Sequence, residues 1–83
     1  MDKKTLLIFS LENRRNEAVK VQKILTDFGC IIKTRLGIHD GVLDKCSNTG
    51  LIILELVGAK AQIRDLERRL KAVKSIRVKL VVL

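Results

Sequence analysis

The strongest constraint on this chain is a change of apolar period that occurs twice in the same order. Residues 5–11, Thr5-Leu6-Leu7-Ile8-Phe9-Ser10-Leu11, form a short and nearly continuous apolar run. A strand covered on both faces reads this way. After Glu12-Asn13-Arg14-Arg15-Asn16 the spacing becomes helical. Ala18, Val21, Ile24 or Leu25, and Phe28 share one stripe, with Lys20, Lys23 and Asp27 opposite. Asn13 or Asn16 is the expected N-cap and Glu17 suits the first turn. Gly29 stands where a glycine at positive φ would end the helix. Residues 30–38 then alternate, Ile32, Leu36 and Ile38 against Ile31, Lys33 and Arg35, as a half-exposed edge strand would.

Residues 40–50 carry the turn signals Asp40-Gly41 and Ser47-Asn48-Thr49-Gly50. The progression then repeats. Residues 51–57 are apolar except for Glu55, and Gly58 breaks the run. Over residues 59–73, Ala59, Ile63, Leu66, Leu70 and Val73 keep a helical stripe. Lys60, Arg64, Arg68, Arg69, Lys71 and Lys74 cover the other side. In residues 75–83, Ile76, Val78, Leu80 and Val82 face one way, and Arg77, Lys79 and Val81 the other. The order is β-α-β-β-α-β. It predicts a ferredoxin-like α+β sandwich, a four-stranded antiparallel sheet with two helices on one face and the first and third strands central. One domain is expected over residues 1–83.

Such a sheet has one bare face. With 83 residues at 47% hydrophobic content, the chain holds more apolar material than one small core absorbs. Both parities of the central strands are apolar. Leu6 and Ile8, or their alternates, together with Leu51 and Ile53, therefore face something, at about 1.5–3 kcal/mol for each side chain fully buried. The expectation is a homo-oligomer, a dimer or tetramer, with those four residues at the interface. Leu80 and Val82 of the apolar tail form a second candidate contact.

Several classes are disfavoured. One histidine and two cysteines without a spacing motif supply neither a disulfide framework nor a zinc motif. A reduced, cytoplasmic setting is the simpler expectation, and no apolar run approaches a membrane span. Acid–base or nucleophilic catalysis needs a base beside a nucleophile and a third orienting group, which these residues do not provide, so no enzyme activity is expected. No cofactor is implied beyond a metal ion or small molecule. RNA-binding sheets of this topology stack bases on aromatics. This chain has two Phe and no Trp or Tyr. The net charge of +8 reads as a solvated basic surface. Its alternative use is contact with a polyanion through Arg64, Arg68, Arg69 and Lys71.

The candidate site residues cluster around the polar loop. His39 and Cys46 bring imidazole and thiolate close in sequence, and two copies could complete a tetrahedral metal site; a loop histidine and a partly buried thiol without a role is the simpler expectation. Arg35 could hold a ligand carboxylate in bidentate fashion. An ion pair with Glu55 on the neighbouring strand is the simpler expectation. Gly37 suggests a bulge or close approach of a neighbour. Asn48 and Gly50 sit in a turn that could offer backbone N–H groups to an anion. Arg14 and Arg15 at a helix start oppose its dipole, a hint of an acidic partner. Cys30 is expected in the core.

The segments Arg35-Leu36-Gly37, Asn48-Thr49-Gly50-Leu51-Ile52-Ile53-Leu54-Glu55-Leu56 and Leu70-Lys71-Ala72-Val73-Lys74-Ser75-Ile76-Arg77-Val78-Lys79 resemble the small ACT-like regulators of iron-only hydrogenase systems. The resemblance covers nearly the whole chain. It implies a ferredoxin-like fold, an oligomer and a regulatory role, transcriptional regulation included. A wider similarity links the chain to ACT domains, which bind amino acids between subunits, and to the ligand-binding domain of nickel-responsive regulators. The glycine that ACT amino-acid sites carry after the first strand is absent from residues 12–16. Only His39 and Cys46 match the nickel ligand set. The expected function is non-enzymatic ligand sensing, with the ligand held between chains near the second-to-third strand hairpin. One alternative is a basic accessory domain binding protein or nucleic acid through its second helix. Another is a transition-metal sensor using His39 and Cys46.

Overall fold

A computed structural model of the chain describes residues 3–11, 14–39, 50–74 and 76–83, with residues 14–16 and 39 described by their backbone alone. The elements follow as β1 (Thr5–Leu11), α1 (Arg14–Asp27), a 3-10 turn (Gly29–Ile31), β2 (Ile32–His39), β3 (Gly50–Leu56), α2 (Lys60–Lys71) and β4 (Ile76–Val82). The sheet order is β2-β3-β1-β4, with all three pairings antiparallel. This is the ferredoxin-like α+β architecture, with β1 and β3 in the centre.

The core lies between one sheet face and both helices. Leu7, Phe9 and Leu11 of β1 and Leu54 and Leu56 of β3 point into it. They meet Val21, Ile24 and Leu25 of α1 and Ile63, Leu66 and Leu70 of α2. Ile76, Val78 and Leu80 of β4 pack along its side. The period-2 pattern of the strands and the helical stripes thus converge on one apolar layer.

Local chemistry adjusts the element ends. Helix α1 starts at Arg14, so Asn16 lies inside its first turn and not at the cap, while Asn13 falls outside the described residues. Glu17 is buried, with the Lys20 ammonium 3.6 Å from its Oε2. Gly29 does not close the helix in the left-handed region. The described glycine with positive φ is Gly58, at 104°. The chain instead leaves α1 through the 3-10 turn, where the Ile31 N–H donates to the Phe28 carbonyl at 3.0 Å. That turn seats Ile31 in the core and leaves Cys30 exposed, contrary to the expectation of a buried thiol. At Gly58 an added Cβ would come within 3.0 Å of both the Ile31 Cγ2 and the Gln62 Oε1. Gln62 needs that space, because its Oε1 accepts the Ala59 N–H at 3.2 Å and satisfies a donor at the start of α2.

Candidate functional site: the uncovered face of the sheet

Strand register fixes which side chains share the face that neither helix covers. Partners directly opposite in an antiparallel sheet point the same way. One row across the sheet is Thr34, Glu55, Leu6 and Val81. The next is Leu36, Ile53, Ile8 and Lys79, and the third is Ile38, Leu51, Ser10 and Arg77. Seven of these side chains are aliphatic. Leu36 and Ile38 are 50% and 47% exposed, and Leu6, Ile8, Leu51, Ile53 and Val81 are half-buried by one another. The patch is contiguous. Its polar groups are Thr34 and Glu55 in the first row, Lys79 at the β4 edge of the second, and Ser10 and Arg77 in the third. A shallow depression of about 210 Å³ opens among Ile8, Ser10, Leu51, Arg77 and Lys79.

A bulge decides what the edge strand contributes. Ile32 pairs with Leu56 and Thr34 with Glu55, so Lys33 is an extra residue on β2. The insertion turns Ile32 toward the core and sends Thr34, Leu36 and Ile38 to the uncovered face. The sequence alternation had placed Ile32, Leu36 and Ile38 together. Leu36 and Ile38 were therefore missed as members of the apolar face, and Val81 was missed because the interface on β4 was assigned to the opposite parity, Leu80 and Val82. The signal of Leu36 and Ile38 was present in the alternation, but its phase was hidden by the bulge.

The same bulge corrects the expectation for Arg35. It pairs with Leu54 and lies on the opposite side of the sheet from Glu55. The Glu55 carboxylate instead receives the Thr34 hydroxyl at 3.4 Å. It sits 3.5 Å from the Lys4 ammonium and 4.0 Å from that of Lys33. Gly37 pairs with Ile52, and a Cβ there would meet nothing within 4 Å among the described residues, so no close approach by them explains it. The bulge lies at Lys33, away from this glycine.

The remaining sequence candidates separate. The backbone of His39 pairs with Gly50 where the hairpin leaves the sheet. Cys46 and Asn48 lie outside the described residues. Among the described residues no group of three or more His, Cys, Asp or Glu side chains is arranged to hold a metal. Leu80 and Val82 lie on the helix-covered face with Leu7 and Thr5, not with Leu6 and Ile8, and Leu80 packs against the core. The basic row on α2 is largely engaged. Arg68 bonds Asp65, Lys71 lies 3.2 Å from Glu67, and Arg69 reaches Asp27 at 3.1 Å while its guanidinium carbon stands 5.3 Å over the Phe28 ring. These three sit in the last turn, where cations favour the helix dipole. Arg64 has no such partner among the described residues. Among the described residues no helix is long and apolar enough to cross a membrane.

No protein-family model matches the chain, and no curated protein matches it. Solved structures do. An uncharacterized protein from Thermotoga maritima superposes with a TM-score of 0.81 at 28% identity, covering 99% of each chain. A candidate PII-like signalling protein from Thermus thermophilus gives 0.66 at 10% identity, over 100% of this chain and 90% of its own. CPII, a nitrogen regulatory PII-like protein from Thiomonas intermedia bound to ADP, AMP and bicarbonate, gives 0.61 at 12% identity, over 99% and 93%. The β2-β3-β1-β4 sheet under two helices is thus a fold this chain shares with PII-like signalling proteins.

Proposed function

We propose that the chain is a non-enzymatic, ligand-sensing regulatory domain of ACT-like type that works as a homo-oligomer. The carrying observation is the contiguous aliphatic face of Leu6, Ile8, Leu36, Ile38, Leu51, Ile53 and Val81, which neither helix covers. A second copy is the occupant that removes it from water while leaving the helices free for solvent. The effector sits between chains near the β2–β3 hairpin, where His39 and Gly50 close the sheet. Regulation of an iron-only hydrogenase system is the physiological setting, a reading supported by the sequence resemblance. Likeness in fold to CPII makes adenine nucleotides and bicarbonate the effectors to try beside free amino acids.

The test has two arms. Sedimentation across micromolar concentrations should give a dimer or tetramer. Thermal melts with ADP, AMP, bicarbonate and the amino acids should show one effector raising the midpoint, because a ligand bound only to the folded state stabilises it by mass action. A monomer at every concentration defeats the oligomer. An assembly that responds to none of these defeats effector sensing of this kind.

A further inference from the structure

At the other end of the sheet from the hairpin, on the helix-covered side, a cleft of about 350 Å³ opens between the start of α2 and the β1–β4 edge. It is lined by Lys3, Thr5, Lys60, Ile63, Arg64, Leu80 and Val82. Its floor is Ile63, Leu80 and Val82, and its rim carries three cations and one hydroxyl. Register explains the assembly of the floor, because Thr5 pairs with Val82 and Leu7 with Leu80. That pairing sets the β4 aliphatics below the first turns of α2. Lys60 and Arg64 are one helical turn apart and so project from the same side of α2.

The charge of this cleft is unbalanced. Lys3, Lys60 and Arg64 have no acidic partner among the described residues, whereas the cations of the last turn of α2 are paired. The first turn of α2 contains no acidic side chain, and Asp65 is taken by Arg68. Three like charges held around one hollow repel one another, and a bound anion relieves that repulsion. The apolar floor, with Val82 54% exposed, asks for a ligand with an apolar body as well as an anionic head.

We propose that this cleft binds a small organic anion, its head held by Lys3, Lys60, Arg64 and the Thr5 hydroxyl and its body laid on Ile63, Leu80 and Val82. The Arg64 guanidinium supplies the planar fork that matches a carboxylate or phosphate edge, and the two ammonium groups add point charge. The site lies within one chain and on the other side of the sheet from the aliphatic face. It stands or falls separately from the oligomer.

Amide NMR shifts of the intact chain, titrated in parallel with phenyl phosphate, benzoate and inorganic phosphate, test this. Phenyl phosphate or benzoate should saturate with shifts centred on residues 60–64 and 80–82, and the stronger of the two identifies the head group. Inorganic phosphate should bind at least about tenfold more weakly, since it leaves the floor wet. The exposed substitution Arg64→Ala should weaken binding about tenfold, the loss expected for one charge-assisted hydrogen-bonding partner. Lys74→Ala, an exposed cation away from the cleft, should leave it unchanged. Shifts centred on the aliphatic face or the hairpin, equal binding of inorganic phosphate, equal weakening by Lys74→Ala, or no saturable shift would each overturn the proposal.

Discussion

Ile8 and Ile53 stand directly opposite each other at the middle of the sheet, on the face that neither helix covers. Leu36 flanks Ile53 on one side and Lys79 flanks Ile8 on the other. An aliphatic pair at the centre of an open sheet is the feature on which the proposed oligomer rests. Ile8→Asp tests it. Within one chain the new carboxylate would face Lys79, so the strand should tolerate it, at about 1 kcal/mol or less in stability. Between chains it would bury a charge and weaken association by over a hundredfold, roughly 3 kcal/mol. Sedimentation should show the variant as a folded monomer where the parent chain assembles. An Ile8→Asp variant that assembles as the parent does would place the interface elsewhere.

The core on the other face should behave independently of assembly. Leu66 is fully buried between α2 and the sheet. Leu66→Ala should cost about 2–5 kcal/mol through lost burial and the cavity left behind. Urea denaturation at several protein concentrations measures it, and the loss should appear at each of them.

Two glycines should respond in opposite ways. Gly58 sits at φ 104° with Ile31 and Gln62 against the position of a Cβ. Gly58→Ala should destabilise by about 1–2 kcal/mol or more, from backbone strain and crowding together. Gly37 has open space around that position. Gly37→Ala should change monomer stability by no more than about 0.5 kcal/mol. If it disrupts assembly or effector binding while the monomer stays stable, the close neighbour of Gly37 belongs to another chain. Chemical denaturation beside sedimentation separates the cases.

Arg69 ties the two helices together through Asp27 and the Phe28 ring. Arg69→Ala should cost about 1 kcal/mol, the sum of a partly exposed ion pair and a cation–π contact. Arg68→Ala, which loses an exposed pair within one helix, should cost a few tenths at most. Thermal melts at low and high salt should show the difference between the variants shrinking with salt, because only the charge part is screened.

The order of elements was legible from apolar period alone, since burying one face of a strand or one stripe of a helix leaves a fixed spacing in the sequence. Ile63, Leu66 and Leu70 of the second helix followed from it, and so did the apolar character of both parities on the central strands, though not which parity of β1 meets the helices. What period cannot carry is phase across an irregularity. The extra residue at Lys33 reversed the facing of the rest of β2, moved Arg35 away from Glu55 and brought Leu36 and Ile38 onto the open face. The 3-10 turn likewise exchanged Ile31 for Cys30 in the core. The cleft beside Arg64 depends on β4 lying under the start of α2, a meeting of segments distant along the chain. Local spacing records which side chains prefer to leave water, and only the paired strands and packed helices decide which of them meet.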